Sequence, residues 1–135
     1  GDIKRFTINN DEQYKIIKKL VDKNIYVKSM FMFGNPGDNE ATIKKTIDYS
    51  SFLPNQFVQY SVFTPYPGTP VYSLYENKII EKRYEKFNQY NLIYKHENLD
   101  NDEITKLKNY AYRKFYFNLK RFPIIFKSIS SFLIR

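Results

Sequence analysis

The sequence predicts an α/β fold with a parallel sheet, and three observations carry that prediction. Helical and strand-like periodicities alternate in the order helix, strand, helix, strand, with connections of a few residues. Residues 25–33, Ile-Tyr-Val-Lys-Ser-Met-Phe-Met-Phe, are β-rich and nearly continuous in apolar side chains, as expected of a strand covered on both faces. Each strand then runs into a glycine- and proline-rich turn, Phe33-Gly34-Asn35-Pro36-Gly37-Asp38-Asn39-Glu40 and Thr64-Pro65-Tyr66-Pro67-Gly68-Thr69-Pro70. Parallel α/β folds build their active sites at that end of their strands.

The elements follow in order. Asn9 and Asn10 are cap residues, Asp11 and Glu12 suit a first helical turn, and Tyr14, Ile17, Leu20 and Val21 recur at helical spacing, so residues 10–23 form a helix that Asn24 ends. After the first strand, Asp38 or Asn39 caps a second helix whose buried side is Ile43, Ile47 and Phe52 or Leu53. Pro54-Asn55 breaks it, and residues 57–63, Phe-Val-Gln-Tyr-Ser-Val-Phe, form the second strand. Residues 71–77 make one short helix and residues 79–93 an aromatic surface layer. Asp100 and Glu103 form a D-x-x-E capping box that opens a helix with Ile104, Leu107, Ala111, Phe115 and Leu119 on one stripe, ended or kinked by Pro123. A last amphipathic turn holds Ile125, Ile129, Phe132 and Leu133. Two parallel strands cannot be covered on both faces without leaving edges, so the chain reads as part of a larger sheet or barrel.

Composition bounds the chemistry. With 135 residues, of which 42% are apolar, the chain suffices for one ordinary domain. It contains no cysteine, which excludes disulfides, thiolate zinc sites, cysteine nucleophiles and any cysteine-ligated cluster held by this chain alone. Its single histidine excludes a multi-histidine metal site. Residues 1–104 balance 14 basic against 14 acidic side chains, so the whole +8 lies in residues 105–135. Such a tail is drawn to phosphate on lipid or nucleic acid. The chain opens without a secretory signal and has no apolar run of membrane-spanning length, which makes it cytoplasmic on this reading.

Two readings of the first turn stay open. Gly34 and Gly37 either make a plain strand-to-helix corner or let the backbone approach a cofactor at a helix N-terminus. A nucleotide phosphate site is disfavoured, because neither Gly-Lys-Ser/Thr nor G-x-G-x-x-G is present. The second turn is held rigid by three prolines, which suits a pocket wall. The combination of an apolar strand, Gly-x-Pro-Gly-Asp, a helix and a second strand ending in Thr-Pro-Tyr-Pro-Gly-Thr resembles the second half of the radical S-adenosylmethionine (radical SAM) core domain. It looks most like the subgroup carrying a cobalamin-binding (B12-binding) domain.

That resemblance covers roughly residues 1–120. It implies that the strands are the fifth and sixth of an incomplete (β/α)6 TIM-like barrel, with residues 1–70 as its C-terminal βα units and residues 71–135 as a helical extension packed on it. It implies contacts to S-adenosylmethionine from Met32, Gly34, Pro36, Gly37, Ser61 and Thr64, and a substrate-cavity wall from Gln59 and Tyr66. It implies a [4Fe–4S] cluster held by a missing N-terminal part of the same polypeptide, since the Cys-x-x-x-Cys-x-x-Cys loop is absent. Such a fragment is inactive alone, serves a small-molecule substrate, and uses cobalamin in the full-length protein if the subgroup likeness holds.

His96, between Lys95 and Glu97, reads as a solvated surface residue. The acidic pairs Asp11/Glu12 and Asp102/Glu103 are explained by capping. The basic tail has three readings: a helix packed on the body with its lysines solvated, a membrane-surface helix peripheral to the bilayer, or, third, a nucleic-acid contact. The alternative function that follows is a basic adaptor binding anionic membrane or RNA through residues 105–135.

Overall fold

The computed structural model describes residues 9–124 and 126. Helix α1, Asn10–Asp22, starts where the Asn9 side chain accepts from the Asp11 N–H at 3.1 Å. It stops in a Schellman turn: Asn24 takes a φ of +59°, its N–H reaches the Val21 carbonyl at 2.9 Å, and the Ile25 N–H reaches Leu20 at 3.0 Å. Strand β1, Lys28–Phe33, leads through the first turn into α2, Glu40–Phe52. Of the two cap candidates it is Asn39 that serves, in a reciprocal box with Thr42.

Strand β2, Phe57–Val62, lies parallel to β1 with Lys28 beside Phe57, Met30 beside Gln59 and Met32 beside Ser61. Helix α3, Pro70–Tyr75, begins at the Thr69 cap with proline in its first turn, and α4, Asn101–Tyr116, begins at the expected Asp100–Glu103 box, whose two bonds measure 2.7 and 2.8 Å. The architecture is mixed α/β, two parallel strands with flanking helices.

The core sits on one side of the sheet. Phe33, Val58, Tyr60 and Val62 from the strands meet Ile43 and Ile47 of α2 and Ile104, Leu107, Ala111 and Phe115 of α4. Tyr60 is the largest fully buried side chain; its hydroxyl shares a 2.6 Å hydrogen bond with Ser50, and its ring stacks on Phe33 at 5.1 Å. The core therefore joins residues from both sides of position 70.

Four expectations are corrected. β1 is not covered on both faces: Met30 is 63% and Met32 48% exposed, because α2 and α4 both lie against the opposite face. Residues 79–93 are more than a surface layer, since Phe87, Leu92 and Ile93 are buried along with Tyr94, and Ile79 pairs with Tyr94 in an antiparallel bridge. Leu119 does not extend the buried stripe, because α4 closes at Phe117 and leaves Leu119 exposed. For the same reason Pro123 does not end that helix. Of the expected last amphipathic turn, Ile125, Ile129, Phe132 and Leu133 fall outside the described residues. No helix among the described residues is long and apolar enough to cross a membrane.

Candidate functional site at the strand ends

Both strands end on the same side in the same device. In Asn35-Pro36-Gly37-Asp38 the Asp38 N–H donates to the Asn35 carbonyl at 2.9 Å, and in Tyr66-Pro67-Gly68-Thr69 the Thr69 N–H donates to Tyr66 at 3.1 Å. The glycines take φ values of +84° and +83°. Proline second and a positive-φ glycine third define a type II turn, a geometry that a side chain at Gly37 or Gly68 would strain. Each turn delivers the chain to a helix cap, Asn39 for α2 and Thr69 for α3.

The first turn is held from within and from below. The Asp38 carboxylate accepts from the Asn35 backbone N–H at 2.8 Å and from its Nδ2 at 3.3 Å, and from Thr42 Oγ1 at 3.2 Å. It is thereby consumed as a turn-former. Tyr94 donates its hydroxyl to the Gly34 carbonyl at 2.7 Å, and burial pushes its ionisation well above the ordinary tyrosine range. His96 Nδ1 accepts from the Asn98 N–H at 3.1 Å, so Nε2 carries the proton and donates to the Asn35 carbonyl at 2.9 Å. The single histidine is thus a buried latch, contrary to the solvated position expected of it. Nothing in its polar neighbours Lys95 and Glu97 signals this, because the latch partner lies across the fold in the β1–α2 turn.

The candidate residues divide three ways. Met32, Gln59 and Ser61 share the face of the sheet opposite the helices, as parallel register and the two-residue period require, with Met32 exposed, Gln59 half-buried and Ser61 buried. Ser29, Phe31 and Phe33 alternate onto the other face, beside Val58, Tyr60 and Val62. Ser61 Oγ donates to the Phe31 carbonyl at 3.1 Å and Thr64 Oγ1 to Val62 at 3.0 Å, leaving each oxygen free only as an acceptor. Pro36, Gly37 and Tyr66 lie on the exposed turns. Gly34 turns the other way: its φ is +72° and a Cβ there would sit 2.8 Å from Ile104 Cδ1, so backbone conformation and packing against α4 together account for that glycine. Two concavities among the described residues lie on the helical side, between α2 and α4 and around the C-terminal end of α2, and neither is lined by a strand-end candidate.

The basic segment is partly structural. Arg121 is buried, lies 3.6 Å from the centre of the Phe115 ring, and donates to the carbonyls of Ser51 at 3.1 Å, Leu53 at 2.6 Å and Asn55. These groups close the C-terminal end of α2, where a cation complements the helix dipole. Burial lowers its pKa to about 10, which keeps it charged at neutral pH. Lys114 pairs with Asp48, and Lys108 donates to the Tyr90 carbonyl at 3.3 Å. Three cations expected to serve a phosphate-binding tail therefore have partners inside the molecule. Lys127 and Arg135 lie outside the described residues.

No protein-family model matches the chain. It is 24% identical over 115 residues to an uncharacterised methyltransferase of Pyrococcus horikoshii, an alignment covering 84% of this chain and 25% of that protein. It is 23% identical over 89 residues to the bacteriochlorophyllide d C-12(1)-methyltransferase of Chlorobaculum tepidum, covering 66% of this chain and 20% of that protein. The chain thus spans a quarter or less of the curated relatives it matches.

These matches correct the radical SAM assignment. Both relatives are named as methyltransferases, and neither name speaks of radical chemistry, a [4Fe–4S] cluster or cobalamin. The likeness rests on two strands, the helix between them and their two Pro-Gly turns, which report backbone geometry shared by many strand-to-helix corners and carry no cluster chemistry of their own. The basic-adaptor alternative is corrected with it, since the named relatives are enzymes and Lys108, Lys114 and Arg121 are occupied.

Proposed function

We propose that this chain is one portion of a larger methyltransferase that uses S-adenosylmethionine, and that its strand ends form part of the wall of the cofactor and acceptor site. The observation that carries the reading is the match to two methyltransferases over most of this chain's length. The geometry adds its own support. The face opposite the helices offers the exposed apolar Met32 side chain beside the half-buried Gln59 amide, at the strand ends where parallel folds place ligands.

Those residues fit one end of the cofactor. Adenine needs a flat apolar surface and a few polar contacts at its edge, which Met32 and Gln59 supply. The ribose and the amino-acid end call for a carboxylate, and Asp38 is already committed to its own turn. The remaining contacts therefore come from other parts of the larger protein. In this reading S-adenosylmethionine supplies the methyl group and the acceptor is a small molecule. The strand ends within residues 1–70 contribute the wall, the described residues from 71 to 124 brace it from behind, and the sheet continues beyond β1 as a larger parallel sheet or barrel.

Titration calorimetry on the whole gene product with S-adenosylmethionine tests this. Binding is expected, and Met32→Lys should weaken it by about tenfold or more, the equivalent of one well-packed apolar contact. Lys44→Ala on the helical side should leave it unchanged. A whole gene product that does not bind, or whose Met32→Lys variant binds as well as the parent, contradicts the reading.

A further inference from the structure

The two borders of this sheet are finished differently. The N–H groups of Phe57 in β2 and of Phe63 just beyond it point to β1 and reach the carbonyls of Val27 at 3.2 Å and Phe33 at 2.9 Å. The alternate N–H groups, of Val58, Tyr60 and Val62, point outward. Each is met: Val58 by the Tyr116 hydroxyl at 3.4 Å, Tyr60 by the Tyr112 hydroxyl at 3.1 Å, and Val62 by the Gln89 carbonyl at 2.7 Å. Tyr112 and Tyr116 lie one turn apart on α4, so their hydroxyls fall at the spacing of successive outward groups along a strand. The border is sealed against another strand.

In β1 the outward groups belong to Lys28, Met30 and Met32. Asn35 Nδ2 donates to the Met32 carbonyl at 3.1 Å, and among the described residues no acceptor meets the N–H of Met30 or of Met32. Proline and bulges, two common protections of an exposed edge, are absent from the strand. The face beside this border is also the uncovered one, with Met30 and Met32 exposed on it.

We infer that the outer edge of β1 receives one further parallel strand, supplied by polypeptide of the same gene product outside these 135 residues. The chain's span of a quarter or less of its relatives makes such polypeptide available. Parallel pairing follows from the existing β1–β2 pair and its helical crossover, whereas a second copy meeting the same edge across a two-fold axis would run antiparallel. The incoming strand carries apolar side chains at alternate positions, because it must cover Met30 and Met32 from the side. The inference rests on the larger-protein half of the proposed function and not on methyl transfer.

Hydrogen exchange tests it without an activity assay. In the 135-residue chain the amides of Met30 and Met32 should exchange at least about a hundredfold faster than that of Tyr60, and in the whole gene product they should slow to the Tyr60 range. Met30→Lys should barely move the melting temperature of the 135-residue chain and lower that of the whole product by several degrees. Slow exchange of both amides already in the 135-residue chain, their fast exchange in the whole product, or a gene that encodes nothing more overturns the inference. A product that transfers methyl groups with those amides unprotected defeats this inference alone; one with them protected that does not bind S-adenosylmethionine defeats the methyltransferase reading alone.

Discussion

The two faces of the sheet are made by the same two strands, yet one is packed to completion and the other is bare. On the helical face Phe33, Tyr60 and Val62 are fully buried against α2 and α4, and the outward N–H groups of Val58, Tyr60 and Val62 are each met, down to the Tyr60 N–H at the Tyr112 hydroxyl. On the opposite face Met30, Met32 and Phe57 stand exposed. An ordinary domain of this size would bury both faces of a parallel pair. The contrast teaches that the stability of this chain and the chemistry proposed for it reside on opposite sides of one sheet, so substitutions should separate them.

The largest effect belongs to the packed side. Phe33→Ala removes a fully buried ring stacked on Tyr60 and is expected to destabilise the chain by about 3–5 kcal/mol in denaturant unfolding, if folding survives it. Next come the glycines of the first turn, which share a positive φ but not their surroundings. Gly34→Ala adds a clash with Ile104 Cδ1 at 2.8 Å to the backbone strain and should cost about 2–4 kcal/mol, whereas Gly37→Ala meets open space and should cost about 1 kcal/mol. Equal costs would mean that Gly34 is not a packing residue.

Alkali should find the packed side too. Burial pushes the Tyr60 hydroxyl up to about 12 from an ordinary value of 10.0, which favours its neutral form in the folded chain. The stability this contributes, on the order of 3 kcal/mol, is fully present below pH 10 and is lost as the pH rises from 10 to 12. Arg121, lowered to about 10 from 12.5, works in the opposite direction over that range, so the quantity to measure is the difference in pH dependence between the parent chain and Tyr60→Phe. The variant should show the shallower loss. The smallest effect belongs to the bare face: Met30→Thr should change unfolding by less than about 0.5 kcal/mol.

Much of the packed side was legible in the sequence. The Asp100–Glu103 box, the Ile104-Leu107-Ala111-Phe115 stripe and the two strands follow from local rules that depend on neighbours within a few residues. What was not legible is decided across the fold. An apolar run such as Met30-Phe31-Met32 reads as doubly buried whether its second covering layer belongs to this chain or to other polypeptide. The register that sets Met32 beside Ser61, rather than Phe31 or Phe33, depends on pairing between strands far apart in sequence. His96 and Arg121 look like solvated polar residues because their partners, the Asn35 carbonyl and the carbonyls closing α2, are backbone groups with no sequence signature. The strand-end turns were recognised correctly as turns; the chemistry attached to them came from likeness alone and did not survive comparison.

The most direct test uses a property of the composition. The chain contains only two methionines, Met30 and Met32, and both lie on the bare face. Labelling the 135-residue chain with methyl-13C methionine therefore places both reporters where the two-face account is most exposed. Adding a soluble nitroxide should broaden both methyl resonances strongly while sparing the methyl groups of Val62 and Ile104 on the packed side. Methionine resonances as sharp as those of Val62 would mean that the face is already covered, and would contradict the account.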